Sequence, residues 1–328
     1  MSPSRATDRK EVLLLKFTIK RLFSAIPVLF IVITLVFFLM RIIPGDPALM
    51  VLGEDADPAD LEAYREMMGL NRPMLEQYIT YLKDILIGNW GVSMYNNKPV
   101  FENIRDCMEP TILVMLYSTV VSVVISIPFG ILAARYRNTF IDYLLTTVTI
   151  FGITVPMFWL GIMMIFLFGV KLKWFPVQGY TFIEEGGLGA ALYSITMPCI
   201  ALAFQHLSSF SRYTRSTMLD VLNSDYIRTA RAKGLADSPV YYKHALKNAL
   251  APVVTTIGFS MAGMLGGACI TETVFNIPGM GKLAYNSLLR RDYTQEQAII
   301  LFVAIIFIAT NILLDIIYKA LDPRIEFD

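Results

Sequence analysis

The nearest approach to a catalytic signature in this chain is Gly279-Met280-Gly281-Lys282-Leu283. A glycine-rich loop ending in Gly-Lys-Ser/Thr cradles nucleotide phosphates with backbone N–H groups, and its hydroxyl binds magnesium. Here the first glycine is missing at the required offset, and Leu283 stands where the hydroxyl is needed. The stretch therefore reads as a turn before the last apolar run, and the chain is expected to have no ATPase site of its own. The three cysteines, Cys107, Cys199 and Cys269, are odd in number and far apart. They give neither a disulfide framework nor metal-ligand spacing and read as small packing hydrophobes. With only two histidines, no cluster of His, Asp, Glu, Cys or Ser gathers at one depth. A membrane enzyme would need such a cluster, so no catalytic residue, metal ligand or cofactor is assigned to this chain.

The elements that carry these residues are set by hydropathy. The chain has 328 residues, 55% of them hydrophobic, and a mean hydropathy of +0.55. So much apolar surface calls for a bilayer rather than a core. A net charge of +1 exerts no global pull toward nucleic acid. The first apolar run, 22–40, follows Lys16, Lys20 and Arg21. It is longer than the apolar part of a signal peptide and lacks an Ala-x-Ala cleavage pattern, so a retained transmembrane helix is expected. At about 1.5 Å per residue it crosses a hydrocarbon core of about 30 Å. Similar runs follow at 111–134, 143–170, 191–210, 253–274 and 298–318. The expectation is an all-α, polytopic protein with six transmembrane helices.

Lysine and arginine orient the spans. The N-terminal segment, the 135–142 loop with Arg135 and Arg137, and the 211–250 loop with Arg212, Arg215, Arg228, Arg231, Lys233, Lys243 and Lys247 fall on one side, predicted cytoplasmic. Both termini are then inside, in the cytoplasmic (inner) membrane of the cell. The opposite side receives an acidic insertion with Asp46, Glu54, Asp55, Asp57, Asp60, Glu62 and Glu66. The predicted organisation is 1–43 for the N-terminus and first span, 44–110 for an extracytoplasmic helical loop, 111–320 for the main transmembrane domain, and 321–328 for a cytoplasmic tail. In the insertion, Asp57-Pro58 and Asn71-Arg72-Pro73 read as helix starts with Pro in the first turn. Leu75, Tyr78, Ile79, Leu82 and Leu86 then repeat at helical spacing, and Gly88 ends the helix. That apolar face packs on something: its own bundle as a lid, or an extracytoplasmic partner as a landing surface.

Charge is scarce inside the spans. Glu272 and Asp315 sit near span ends, and Arg41 snorkels to an interface. A mid-bilayer charge costs about 2.5–3.5 kcal/mol on insertion scales, and a proton-driven secondary carrier would need such groups. Gly258, Ala262 and Gly266, with Gly263 and Gly267 beside them, allow close helix approach within the chain or to a second subunit, or a pore-lining row. Pro128 and Pro156 can kink their helices. Gln205, His206 and Ser209 in the fourth run and Met261 and Met264 in the fifth are the candidates for a substrate path. His206 fits an interhelical hydrogen bond equally well.

Between the fourth and fifth runs lies NSDYIRTARAKGLADSPVYYKHALKNALAPV, residues 223–253. Ser224 or Asp225 caps a first helix running to about Lys233, and Gly234 suits the position after it. Ser238-Pro239 starts a second, with Tyr242, Leu246 and Leu250 on one stripe and Lys243 and Lys247 beside it. Arg228, Arg231 and Lys233 are expected on the surface, with Ala230 leaving room for close approach. This describes a knob for a groove on another protein. It also describes an interfacial hairpin whose basic residues face lipid headgroups.

TARAKGL at 229–235, followed by HALKNALAPVV, resembles the cytoplasmic loop of importer-type ATP-binding-cassette (ABC) permeases. More narrowly, the chain resembles the first permease subunit of the dipeptide/oligopeptide/nickel group. RIIPGDP at 41–47, GLNRPMLEQY at 69–78, NWGVSM at 89–94, TETVFNIPGMGKL at 271–283, RRDY at 290–293 and DPRI at 322–325 agree in order. The wider family writes the loop Glu-Ala-Ala with a Gly six residues after the Glu; here Gly234 is in place, but Arg228 and Thr229 replace the first two positions. The resemblance implies the type I importer permease fold. It also implies pairing with a second homologous permease, two ATPase subunits that bind ATP and magnesium, and a separate peptide-binding protein outside. Within the 223–250 loop, Tyr226, Arg228, Thr229, Ala230, Arg231, Lys233, Gly234 and Leu235 would couple to an ATPase. Di- or oligopeptides are the implied cargo, with nickel or another small solute the alternative.

Overall fold

A computed structural model of the chain describes residues 3–42, 45–53 and 55–321. The DPRI motif with residues 322–328 of the predicted tail, and residues 43 and 44 of RIIPGDP, lie outside the described residues. So do the side chains of Ala262 and Asp315 and the surroundings of Gly266 and Gly267. Among the described residues the architecture is helical, with one isolated bridge between Val92 and Pro99. The chain divides into two compact units, Met1–Met108 with Lys282–Asp328, and Glu109–Gly281.

In the first unit α1 (Pro3–Ile42) packs along α14 (Tyr293–Leu321). Three short helices follow α1: α2 (Pro47–Leu52), α3 (Pro58–Met67) and α4 (Met74–Leu86). Asp57 caps α3 as its sequence predicts, accepting from the Ala59 N–H at 2.9 Å, with Pro58 in the first turn. Pro73, by contrast, takes the cap position of α4 itself. Gly88, at φ +78°, follows the last turn of α4, and the Asn89 N–H reaches back to the Asp84 carbonyl at 2.8 Å. Arg41 lies one residue inside the Ile42 end of its span. Its guanidinium lies 3.5 Å from the centre of the Phe37 ring and donates to Gln77 Oε1 at 3.1 Å. An aromatic face and an amide acceptor hold the charge where apolar neighbours alone would not.

The second unit holds α5 (Val100–Arg135) from residue 109 onward. It continues with α6 (Phe140–Thr154), α7 (Met157–Met164), a π-helical stretch Ile165–Lys171, α8 (Ile183–Ser194) and α9 (Thr196–Leu222). Then come α10 (Asp225–Ala232), the single turn α11 (Asp237–Pro239), a second π-helical stretch Val240–Ala245, and α12 (Leu246–Val274). The predicted run 143–170 is not one straight span: α6 and the α7 segment meet at 100°. Pro156 has no N–H to give the preceding turn, and Val155 before it is extended at φ −80°, ψ 124°, the conformation a following proline enforces. Pro128 remains inside α5. The predicted run 191–210 likewise starts on α8 and bends by 44° into α9. Among the described residues three helices are long and apolar enough to cross a membrane singly, Thr18–Ile42, Val100–Arg135 and Tyr293–Leu313, or up to five spans if each bent pair counts as one. The predicted 253–274 run falls within α12, where Pro252–Met261 is the apolar stretch.

Candidate functional site

The 223–253 segment folds around α10. Ser224 is extended at φ −72°, ψ 154° and starts the helix, but its hydroxyl donates to the Val221 carbonyl at 2.6 Å rather than capping. The far end closes on Gly234 at φ +79°. The Gly234 N–H bonds the Arg231 carbonyl at 2.9 Å, and the Leu235 N–H bonds the Ala230 carbonyl at 3.3 Å. This reciprocal pair needs a left-handed residue after the helix, a conformation glycine adopts without strain. The helix end thus satisfies its own carbonyls and needs no neighbour to do so.

One buried apolar side chain ties α10 down. Ile227 is fully buried in a cluster with Ile131, Ala134, Met218, Leu222, Val240, Ala245 and Ala249. Around it Tyr226, Arg228, Thr229, Arg231, Lys233 and Leu235 are exposed and Ala230 is half-buried. Arg228 pairs along the helix with Asp225, and Asn248 donates to the Tyr226 hydroxyl at 2.8 Å. Seven of the predicted coupling residues therefore share the outer surface of one short helix and its turn, and Ala230 lies among them. Sequence reasoning missed Ile227, although it is the lone β-branched aliphatic in a polar stretch and that contrast was its signal.

The second helix of the loop departs from expectation. Its buried face is Val240, Ala245, Ala249 and Val253, while Tyr242 is exposed and Leu246 and Leu250 are half-buried. The predicted stripe of Tyr242, Leu246 and Leu250 assumed uniform α-helical spacing. The π-helical stretch Val240–Ala245 adds a residue to the turn and rotates the following face. The helix then runs without a stop into α12.

The candidate substrate-path residues do not share one surface. Gln205 and Ser209 are exposed on successive turns of α9. His206 is half-buried, its ring 5.8 Å from that of Phe210. Met261 is half-buried, but Met264 is fully buried and its sulfur accepts from the Thr119 hydroxyl at 3.3 Å. Met264 belongs to the packing between α5 and α12.

The 271–283 motif is built inward. Glu272 is fully buried and accepts from the Thr111 hydroxyl at 2.6 Å; that hydroxyl also accepts from the Met280 N–H at 2.8 Å. The Ile277 N–H bonds the Glu272 carbonyl at 2.8 Å. A Cβ on Gly279 would lie 2.2 Å from Glu272 Cδ, and one on Gly281 would lie 2.5 Å from Cys269 Cα. These glycines exist for close approach, and the space a phosphate would need above Gly279 holds a carboxylate. Among the described residues no group of three or more His, Cys, Asp or Glu is placed to hold a metal.

Comparison with known proteins matches these features. The family model described as binding-protein-dependent transport system inner membrane component matches residues 126–327, and the model for the N-terminal part of such components matches residues 14–115. The chain is 39% identical over 313 residues to the oligopeptide transport system permease protein AppB of Bacillus subtilis, covering 95% of this chain and 99% of that protein. It is 38% identical over 333 residues to the dipeptide transport system permease protein DppB of Alkalihalophilus pseudofirmus, covering 96% and 100%. The glutathione transport system permease protein GsiC of Escherichia coli is 38% identical over 314 residues, again covering 96% and 100%. Among solved structures, the inward-facing MetNI methionine ABC transporter matches with a TM-score of 0.56 at 18% identity, over 68% of this chain and 98% of that one. That likeness establishes the type I importer permease fold. The chain belongs to the binding-protein-dependent transport system inner membrane component family, the multi-pass permease subunits of ABC importers.

Proposed function

We propose that this chain is one half of the transmembrane gate of a peptide importer, and that α10 is the contact through which a separate ATPase works it. The observation that carries the reading is the construction of α10. The helix is anchored by the single buried side chain Ile227 and closed internally at Gly234. Its outer surface, with Arg228, Thr229, Arg231, Lys233 and Leu235, is exposed, and Tyr226 is held beside it by Asn248. Such a helix suits a partner's cleft because it needs stiffness and fit rather than reactive groups. Ile227 and its cluster link α10 to Met218 and Leu222 of α9 and to Ala249 of α12, so a push on α10 is delivered to both long helices.

In this reading the complex contains a second homologous permease, two ATPase subunits that bind ATP and magnesium, and an extracytoplasmic binding protein that selects the cargo. This chain binds no cofactor and hydrolyses nothing. ATP binding draws the two coupling helices together and converts an inward-facing arrangement to an outward-facing one. Swinging such a gate from 1:99 to 99:1 takes about 5.5 kcal/mol of differential binding. Both termini and the 211–250 loop face the cytoplasm, as the basic residues require. Di- and oligopeptides are the cargo, supported by the names of relatives that match along nearly the whole chain. The test is purification of the tagged chain from membranes, followed by reconstitution of what comes with it. ATP-dependent uptake of the binding protein's peptide ligand is expected. Purification without an ATPase, or uptake in proteoliposomes without nucleotide, would overturn the assignment.

A further inference from the structure

Helix α4 has three faces. Tyr78, Tyr81 and Ile85 turn toward the protein and are half-buried. Glu76, Thr80, Lys83 and Asp84 make a polar face. A third strip, Leu75, Ile79 and Leu86, is apolar and open, with relative exposures of 69%, 44% and 85%.

The packed face fixes the depth of this helix along the membrane-crossing segments. The Tyr78 hydroxyl is 2.7 Å from the Thr34 hydroxyl, and its ring lies 5.1 Å from that of Phe37 and 5.6 Å from that of Phe38. Thr34 sits eight residues inside the Ile42 end of the Thr18–Ile42 span, about 12 Å of helix. Residues Tyr81, Asp84 and Ile85 share a cavity of about 370 Å³ with Gln297, Ala298 and Leu301 of α14. Along α14 the lining of that cavity runs from Thr294 to Leu301, one to eight residues inside the Tyr293 end of the Tyr293–Leu313 span, about 1.5–12 Å of helix. The Thr34 contact therefore sets the depth, and the cavity lies within the same range. Just beyond α4, the Trp90 ring lies 6.3 Å from that of Phe302 and 6.4 Å from that of Phe101, an aromatic group of the kind enriched at membrane interfaces.

We infer that α4 is not a water-borne lid but an interfacial helix sunk into one leaflet, with Leu75, Ile79 and Leu86 against lipid acyl chains. The strip continues the open apolar surface of α1 at Leu35, Phe38 and Leu39, a face of a membrane-spanning helix that suits lipid acyl chains. Tyr78, in ring contact with Phe38, joins the two surfaces. The polar face then looks to the headgroups, and Lys83 can reach them along its stem. This inference depends on the membrane location of the chain and not on its cargo or its ATPase contact.

The test places a photoreactive benzoylphenylalanine at Leu75, Ile79 or Leu86 in the full chain, reconstituted with its co-purifying partners in radiolabelled phosphatidylcholine/phosphatidylglycerol nanodiscs. Glu76 and Thr80 serve as polar-face controls. Labelled-lipid adducts at the three apolar positions, at least fivefold above the controls, are expected. Adducts with another polypeptide at those positions would overturn the inference in favour of a protein partner. Lipid labelling no greater than at Thr80 would overturn it in favour of a water-facing strip.

Discussion

The two motif-bearing turns of the second unit spend their polar residues in opposite ways. The 271–283 turn wraps its one carboxylate, Glu272, inside, where Thr111 bonds it and the Gly279 backbone packs on it. The 225–235 segment keeps its cations outside and buries only Ile227. The first arrangement uses a carboxyl group to fix a fold, because a buried acceptor left unpaired is costly. The second uses an apolar anchor to present charge, because a helix whose cap is already closed can offer its surface elsewhere. Both segments contain glycines, but for different reasons. Gly279 and Gly281 remove a Cβ that would collide, whereas Gly234 supplies a left-handed turn with open space around it. Hence the same residue type predicts a folding defect in one segment and a coupling defect in the other.

The largest separation of the two comes from Gly234→Pro. Proline cannot take φ +79° and has no N–H for the Arg231 carbonyl. Membrane insertion and yield are expected to stay normal while peptide uptake by the reconstituted complex falls to background. Uptake at the unaltered rate, with the ATPases assembled as usual, would remove α10 from the coupling path. Glu272→Ala is expected to do the reverse. It strands the Thr111 hydroxyl and empties the space beside Gly279, a loss of roughly 1–3 kcal/mol for the unpaired group alone. Folded protein recovered in mild detergent should drop severalfold, measured by size-exclusion profile and thermal midpoint. A normal profile would show that the carboxylate does not hold the turn.

A milder change tests the anchor. Ile227→Ala removes the one side chain that ties α10 to Met218, Leu222 and Ala249. Truncations of this kind cost about 2–5 kcal/mol in a closed core, but only a local helix depends on this one. ATPase association is expected to persist, while uptake per ATP hydrolysed falls several-fold because the docked helix no longer moves α9 and α12 firmly. Unchanged stoichiometry of uptake to hydrolysis would show that α10 transmits motion by another route.

The elements legible in the sequence are those set by local physics. Asp57-Pro58 and Gly234 act through their own backbones, so their roles at α3 and α10 are readable from residue type alone. The long apolar runs are readable because bilayer thickness dictates their length. Four features were not legible. The π-helical stretch Val240–Ala245 gives no compositional sign, and it moves the buried face from Leu246 and Leu250 to Ala245 and Ala249. Pro156 marks a kink, but its 100° depends on what packs beyond it. Met264 and Gln205 both looked suited to a path, yet tertiary packing buries one and leaves the other open. The inward role of Glu272 was hidden because its partner Thr111 is 161 residues away in the chain.

The smallest effect sharpens what kind of surface α10 offers. Arg228 is exposed and tied only to Asp225 one turn earlier. An exposed pair at that spacing contributes about 0.3–0.5 kcal/mol, so reversing the charge leaves the helix formed. Arg228→Glu is therefore expected to change nothing in the isolated chain. It should weaken co-purification with the ATPases two- to tenfold at low salt, if Arg228 meets an acidic cleft. The deficit should shrink as ionic strength rises, because exposed charges are screened over about 10 Å at 0.1 M salt. A deficit that ignores salt would point to shape rather than charge at this position. No deficit at any salt would leave Tyr226, Thr229, Arg231, Lys233 and Leu235 to carry the contact. In that case the departure of this chain from Glu at position 228 matters little, because the fit of the helix, and not the sign of its first exposed charge, makes the joint.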